Sequence, residues 1–302
     1  MKIAAGMIVF NGDYVLKECL ESIYPYVSQI VVAEGPAQYW QQEGYQTSTD
    51  RTNDILHSFP DPDNKLKIYH GQYSEKDEQC NAYTSLLNSD VDYLINLDSD
   101  ELYHHKDMEN LIKLLEDEKP TSVGVRSCSF YGGFDRYIGG FEQLKDNFLR
   151  IFKWYPGAKW HTHRPPTVKQ RTGTHMKHID SDQLYDQIGL EMMHYSYVFP
   201  KQVYNKINYY YGIGGIANRI PNYFFNVYWK WINASDSNKP LVEDRYNGVH
   251  EYLPGGRMES FTEQFKKEHP LSIAQSLPAL KAEFDKQVEH VRIKMTDLCM
   301  NI

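Results

Sequence analysis

The sequence lacks the features that would cross-link a chain, anchor it or draw it to a polyanion. Its four cysteines, Cys19, Cys80, Cys128 and Cys299, are scattered with no Cys-x-x-Cys pair. That excludes a disulfide frame or a cysteine zinc site and points to reduced thiols. Basic residues are outnumbered, 32 Lys and Arg against 40 Asp and Glu. A formal charge of −8 removes a broad basic face as a means of binding, although a local basic groove stays open. No stretch approaches the ~20 apolar residues of a spanning helix. The opening MKIAAGMIVFNGD has no basic leader region and reads as a strand, not a signal peptide, so the expected location is cytoplasmic. The Asn233 sequon then carries no meaning. There is no internal repeat and no low-complexity linker, and the GIGG at 212–215 lacks the strand-turn-helix setting of a dinucleotide fingerprint.

What the sequence does contain is the balance of a globular protein, 41% hydrophobic and 24% charged over 302 residues. Aromatics are plentiful at 14%, with 24 Tyr. Such rings suit stacking on flat or ring-shaped partners, but filling a core is their commoner use.

The first half alternates. Apolar runs KIAAGMIVF, QIVVAEG, KLKIYHG and VDYLINLD are separated by stretches with helical spacing, among them Val15, Leu16, Cys19, Leu20 and Ile23, and later Met108, Leu111, Ile112 and Leu115. Strands alternating with helices imply a parallel sheet covered on both faces. After Pro120 the runs SVGVRSCSFYGG, NFLRIFKWYP and EMMHYSYVF read as strands joined by irregular loops. From Pro200 the chain reads as mainly helical and rich in aromatics, ending in a helix with Leu280, Phe284, Val288, Val291 and Met295 on one stripe. The expected division is an α/β domain over 1–199 and a helical extension over 200–302.

The run YLINLD is followed by Ser99, Asp100 and Glu101, so an apolar strand ends in three acids counting Asp98. In an open parallel sheet, ligands bind beyond the carboxyl ends of the strands. Asp98 and Asp100 there suit Mg²⁺ or Mn²⁺, which takes one or two carboxylates and completes its shell with phosphate and water. Glu101 is expected to cap the turn or the following loop. A plain solvated acidic turn is the alternative.

The order of segments GMIVFNGDYVLKECLESIYPYVSQIVVAEG, STDRTNDIL and LINLDSDE resembles the family-two glycosyltransferases of GT-A fold, Rossmann-like enzymes with a mostly parallel sheet flanked by helices. The resemblance is strongest over about residues 1–105. It implies an inverting transfer from a nucleotide-diphosphate sugar, a UDP-sugar first among donors, with Mn²⁺ or Mg²⁺. It assigns donor contacts to Val9 and Asn11 on the first strand and its turn, and to Glu34, standing where Asp is usual. Asp50 and Arg51 stand in its Ser-x-Asp-x-Thr turn. Asp98-Ser99-Asp100 is its DxD, with Ser99 beside the donor. PAQYWQQEGYQT is inserted between Glu34 and that turn. Cys80-Asn81 stands where the family often has Arg-Asn, and Lys76 would supply the missing cation near the pyrophosphate.

In the second half, LRIFKWYPGAKWHTHRPPTV resembles a hairpin of the smaller lipopolysaccharide-type members, with His161, His163 and Arg164 as candidate donor contacts. His194 is either a third metal ligand or a core histidine. The catalytic base is sought among Asp135, Glu191 and Asp180, each with a structural alternative: a loop salt bridge of Asp135 with Arg136, or a helix cap. The aromatic-rich stretch 204–231 suits an acceptor lid, a peripheral membrane contact, or core. The acceptor stays open among a glycan, a lipid-linked sugar, a protein and a modified nucleic-acid base. The rival readings are a sugar nucleotidyltransferase, which would carry a Gly-rich basic loop absent from VFNGDYV, and a non-catalytic nucleotide-sugar or carbohydrate-binding module.

Overall fold

The computed structural model describes residues 1–139, 147–169, 171–213, 220–246, 248–249 and 261–300, with the side chains of 296–300 left out. The chain divides into two compact units. The first holds Met1–Ser127, Asp146–Met192 and Pro270–Ser272, and the second holds Cys128–Lys145, Met193–His269 and Ile273–Ile302. Two of the crossings, after Ser127 and after Met192, fall inside strands, where composition, which marks linkers, gives no sign.

The first unit is α/β. Strands β1 (Ile3–Val9), β2 (Gln29–Glu34), β3 (Leu66–His70) and β4 (Tyr93–Asp98) are parallel, in the order β4-β1-β2-β3. After the two-residue β5 (Glu101–Leu102), β6 (Ser122–Tyr131), β7 (Arg136–Ile138) and β8 (Phe148–Lys153) follow, and β8 extends the sheet antiparallel between β4 and β6. The central strands are buried along almost their whole length, as near-continuous apolar sequence requires of strands covered on both faces. At the edge, β3 alternates over Leu66–Tyr69, leaving Lys67 and Tyr69 exposed, and the charge of Lys67 blunts it against pairing with another chain.

Helix α1 (Leu16–Ile23) buries Leu16, Cys19, Leu20 and Ile23 at helical spacing, as its sequence predicts. A short α2 (Gln38–Gln42) forms within the insertion, and α3 (Thr52–Ser58) follows the Ser-Thr-Asp turn. In α4 (Lys76–Thr84), Cys80 and Tyr83 pack with Ala4, Val31, Ala33 and Leu94 in one core cluster. Helix α5 (His105–Glu118) buries Met108, Leu111, Leu114 and Leu115 and ends at Lys119, whose left-handed backbone stops it. The hairpin β9 (Trp160–His163) and β10 (Pro166–Val168) adds Trp160 and Val168 to the cluster that holds Tyr83. Cys19, Cys80 and Cys128 are buried free thiols.

The second unit is built on aromatics. Phe130, near the end of β6, pairs with Tyr137 of β7, and β7 pairs antiparallel with the strand Thr262–Gln264. Tyr131, Tyr197, Tyr223, Tyr228 and Trp231 share one cluster, in which the Tyr223 hydroxyl donates to the Tyr131 hydroxyl at 2.8 Å and the Tyr228 hydroxyl to the Val198 carbonyl at 2.6 Å. Most described rings of the 204–231 stretch are therefore core, while Tyr204 and Tyr211 are exposed. Half of the GIGG bend, Gly214 and Gly215, lies outside the described residues. The final helix, Leu271–Met300, turns its predicted stripe inward, with Leu280 buried and Phe284, Val288, Val291 and Met295 half-buried. Among the described residues, no helix is long and apolar enough to cross a membrane.

One glycine is held by geometry. Gly35, directly after β2, has φ +140°, and a Cβ there would lie 1.8 Å from the Gly71 carbonyl oxygen. Gly35→Ala should therefore destabilise the protein by about 2 kcal/mol or more, from strain and clash together. Chemical denaturation measures it, and an unchanged midpoint would show that the two loops separate at no cost.

Candidate functional site

Parallel register sets Val9 opposite Glu34 and Ile8 opposite Asp98, so β1, β2 and β4 end level with one another. The loops that leave these ends are joined by hydrogen bonds from the 47–52 turn. Asn11, with its backbone at φ 49°, gives its N–H to Ser48 Oγ at 2.9 Å and takes the Thr49 N–H on its side-chain oxygen at 2.7 Å. The Gly12 N–H donates to Thr52 Oγ1 at 2.9 Å. Asp50 accepts the N–H groups of Asp13 at 3.3 Å and Thr52 at 2.9 Å, and Arg51 Nε pairs with Asp13 at 3.1 Å. Burial, with the Asp13 charge beside it, raises the Asp50 pKa. On the other side a Cβ on Gly12 would lie 2.8 Å from Ser99 Oγ, so the β1 loop and the turn after β4 touch.

Glu34 is 1% exposed. Its oxygens accept the Ser48 N–H at 2.8 Å and the Thr47 hydroxyl at 3.1 Å, and His70 Nδ1 lies 2.9 Å away. Burial acts to raise its pKa, but the bonds from His70, Ser48 and Thr47 outweigh it and hold the group below its ordinary value. In this state the carboxylate fastens the end of the inserted segment to β2 and β3.

Asp98, Ser99 and Asp100 are half-buried at the end of β4. Glu101 is fully buried, and its Oε2 accepts the Asp98 N–H at 3.1 Å, so it caps the turn as its position suggested. Arg150 on β8 forks onto Glu101, with Nε 2.9 and 3.1 Å from its oxygens, and its Nη2 lies 3.4 Å from Asp98 Oδ2. Burial opposes the guanidinium charge, yet Glu101 and Asp98 hold its pKa above the ordinary value. The carboxylates leave their mark on Cys19 too: burial, then Glu101, Asp100 and Asp98, push that thiol well up.

Helix α4 ties this edge to the β9–β10 hairpin. Gln79 donates from Nε2 to the Ala33 carbonyl at 2.9 Å and the Gly35 carbonyl at 3.2 Å. Asn81 exchanges a pair of hydrogen bonds with the Trp160 backbone at 3.0 and 3.1 Å, and Asp77 accepts the His163 N–H. His163 Nδ1 lies 3.4 Å from Cys80 Sγ, both buried. Burial lowers the histidine to about 4 and raises the thiol to about 12, so at neutral pH the pair is uncharged. Asn81 and His163 thus act as fasteners of the hairpin. Lys76 opens α4, and Arg164, exposed like His161, follows His163 in the hairpin.

The other candidates stand elsewhere in the chain. Asp180 caps the helix Ser181–Ile188 in a capping box, accepting the Gln183 N–H at 2.8 Å. Glu191 is buried where the strand Glu191–Tyr197 begins. Asp135, 75% exposed, pairs with Lys281 at 3.0 Å, a residue far along the chain, in place of the expected neighbour Arg136. His194, half-buried on the strand Glu191–Tyr197, has Ser129 Oγ 3.3 Å from its Nδ1.

Among the described residues, no three His, Cys, Asp or Glu side chains gather as a ready metal cage. Asp98 and Asp100 nevertheless fit an ion that needs one or two carboxylates and completes its shell with phosphate and water, since the Asp98 side chain stays 37% exposed at the strand end. Sequence reasoning passed over Arg150, Gln79 and Asp13. A signal existed for Arg150: a charge inside the apolar run FLRIF is seldom buried unless paired.

Residues 46–165, less than half of the chain, match the family model described as Glycosyl transferase family 2. The match begins after β2 and runs past the DxD, further along than the resemblance read from the sequence. No curated protein matches the chain. Similar solved structures include S. aureus TarS 1-349 in complex with UDP, at 11% identity and TM-score 0.37, covering 82% of this chain and 79% of that one. A longer S. aureus TarS chain, of which this chain covers 28%, is 13% identical over 51% of this chain, with TM-score 0.34. Glucosyl-3-phosphoglycerate synthase from Mycobacterium tuberculosis, in complex with Mg²⁺ and UDP, is 17% identical over 43% of each chain, with TM-score 0.31. At such values these structures carry no argument, and the family match stands for residues 46–165 alone.

The Glu34 latch has a pH signature. Its folded pKa lies below the unfolded value, so its contribution is complete above about pH 4.3 and is lost as pH falls through the folded value. Glu34→Gln should lower stability at neutral pH by about 1.5–3 kcal/mol and flatten the acid limb of a melting-temperature profile. Identical acid limbs in the two proteins would show that the latch is already open in solution.

Proposed function

We propose that this chain, whose residues 46–165 match the family-two glycosyltransferase model, moves a sugar from a nucleotide-diphosphate sugar to an acceptor hydroxyl with inversion. The observation that carries this reading is the level ending of β1, β2 and β4, with Asp98 and Asp100 at the end of β4 and the 47–52 turn fastened across the β1 loop. A nucleotide fits such an edge because backbone and side-chain groups from three strand ends converge there.

On this reading Val9, Asn11, Asp50 and Arg51 frame the nucleoside, with Glu34 holding the turn that bears the last two. A uridine nucleotide is the donor to try first. Asp98 and Asp100 would hold Mg²⁺ or Mn²⁺, with Ser99 between them against the β1 loop. Bound there, such an ion acts as a Lewis acid toward the diphosphate. Lys76 and Arg164 add positive charge for the phosphates, where an acidic chain would otherwise repel them. The acceptor oxygen attacks the anomeric carbon from the face opposite the diphosphate, the carbon–oxygen bond to phosphate breaks, and its electron pair leaves with the phosphate oxygen. A carboxylate takes the hydroxyl proton. Of the three candidate carboxylates Asp135, the exposed one, is the first to test, since Asp180 is committed to a helix cap and Glu191 is buried.

Calorimetry with UDP and MnCl₂, beside an assay of UDP-sugar hydrolysis or transfer, tests the reading. Asp100→Ala should abolish Mn²⁺-dependent UDP binding while stability changes by less than ~1 kcal/mol, since the half-buried turn side chain fills no core. Full binding in EDTA, or in that variant, would refute the metal-held diphosphate.

Asp135→Asn should leave UDP and Mn²⁺ affinity intact while turnover falls by about 10²–10⁴-fold, the usual scale of general base catalysis. Normal turnover in that variant would move the base role to another carboxylate.

A further inference from the structure

Arg150 lies in β8 with its side chain 8% exposed, next to the buried Ile151 and Phe152. Its guanidinium closes a ring of contacts. Nε and Nη2 fork onto Glu101, Glu101 Oε2 accepts the Asp98 N–H at 3.1 Å, and Nη2 returns to Asp98 Oδ2 at 3.4 Å. One buried ion pair, drawn from β5 and β8, thus grips Asp98 by both backbone and side chain. The same Asp98 side chain stays 37% exposed, so it is held without being sealed in.

Stability alone does not account for such a pair. Two buried charges are costly to desolvate, and apolar residues of similar volume commonly stabilise as well or better. What a fork on a fully buried carboxylate supplies is direction: a planar guanidinium with two fixed bonds has little freedom left. An acid at the end of a strand, free to choose among rotamers, would meet a diphosphate and its ion in the right geometry only part of the time. A carboxylate turned by a fixed guanidinium is already there.

We propose that Arg150 and Glu101 are a positioning pair that orients the Asp98 carboxylate for the diphosphate and its divalent ion. The pair touches Asp98 and not the substrate, and the inference rests on the reading of Asp98 and Asp100 given above. It also explains why a third acid follows the DxD: Glu101 anchors the arginine and takes no part in binding the ion.

The test compares three proteins by calorimetry with UDP as probe, in MnCl₂ and in EDTA, well below each melting temperature. Asp98→Asn is the reference and should lose Mn²⁺-dependent UDP affinity. Arg150→Met combined with Glu101→Gln removes both charges together, so no buried charge is left unpaired. It should melt near the wild type, yet bind UDP in Mn²⁺ about ten-fold or more weakly, with UDP affinity in EDTA unaltered. Wild-type affinity in this folded double variant would reduce the pair to a structural ion pair and overturn the inference. Should the double variant fail to fold, Arg150→Lys keeps the charge without the fork, and the same Mn²⁺-dependent loss is expected of it. Undiminished affinity there overturns the inference equally. If Asp98→Asn itself binds UDP and Mn²⁺ normally, the diphosphate reading fails as well. If Asp98→Asn loses binding while the pair variants keep it, only the positioning role fails.

Discussion

The parallel register of β1 between β2 and β4 is the constraint on which the candidate site depends. With Val9 level with Glu34 and Ile8 level with Asp98, three loops leave one edge at one height. A shift of one residue in either pairing would move Glu34 or Asp98 along the strand and turn its side chain to the other face. The register is held by apolar side chains on both sides of the sheet, Ala4, Val31, Ala33 and Leu94 against Cys80 and Tyr83 on one of them. The acids at the edge are therefore brought level by a core that carries no charge.

The edge itself is built from polar groups that satisfy one another. Ser48, Thr52 and Asp50 take the N–H groups of Asn11, Gly12 and Asp13, and Glu34 takes that of Ser48. Each of these donors would be costly to bury without a partner. Glu34 in this state spends its oxygens on the protein, on Thr47, Ser48 and His70. Glu101 is a second acid turned inward, toward Arg150. Of the acids at the β2 and β4 ends, Asp98 and Asp100 remain half-exposed while Glu34 and Glu101 are buried.

The second unit follows a different logic. Its tyrosines pack face to edge and bond hydroxyl to hydroxyl or to carbonyl, as Tyr223 does with Tyr131. A buried ring with a polar tip needs such a partner. The high aromatic content that suggests stacking on a ligand is thus largely used within the fold, in Tyr197, Tyr223, Tyr228 and Trp231. Asp135 reaches Lys281 across nearly half the sequence, where the sequence offered Arg136 as its neighbour.

Local pattern was enough to determine the alternating strands and helices of the first unit, the mainly helical stretch from Pro200, the acid pair at the end of β4 and the capping role of Glu101, because apolar periodicity and strand-end position are properties of neighbouring residues. The tertiary structure alone decided what each polar side chain faces. It turned Glu34 and Glu101 inward, set Asn81 and His163 to fastening a hairpin and brought Arg150 from β8 to Asp98. The physical reason is the distance along the chain between partners. Arg150 and Asp98 are 52 residues apart, His163 and Cys80 83 apart, and Lys281 and Asp135 146 apart. Only the folded sheet and its loops bring such pairs within a few ångströms.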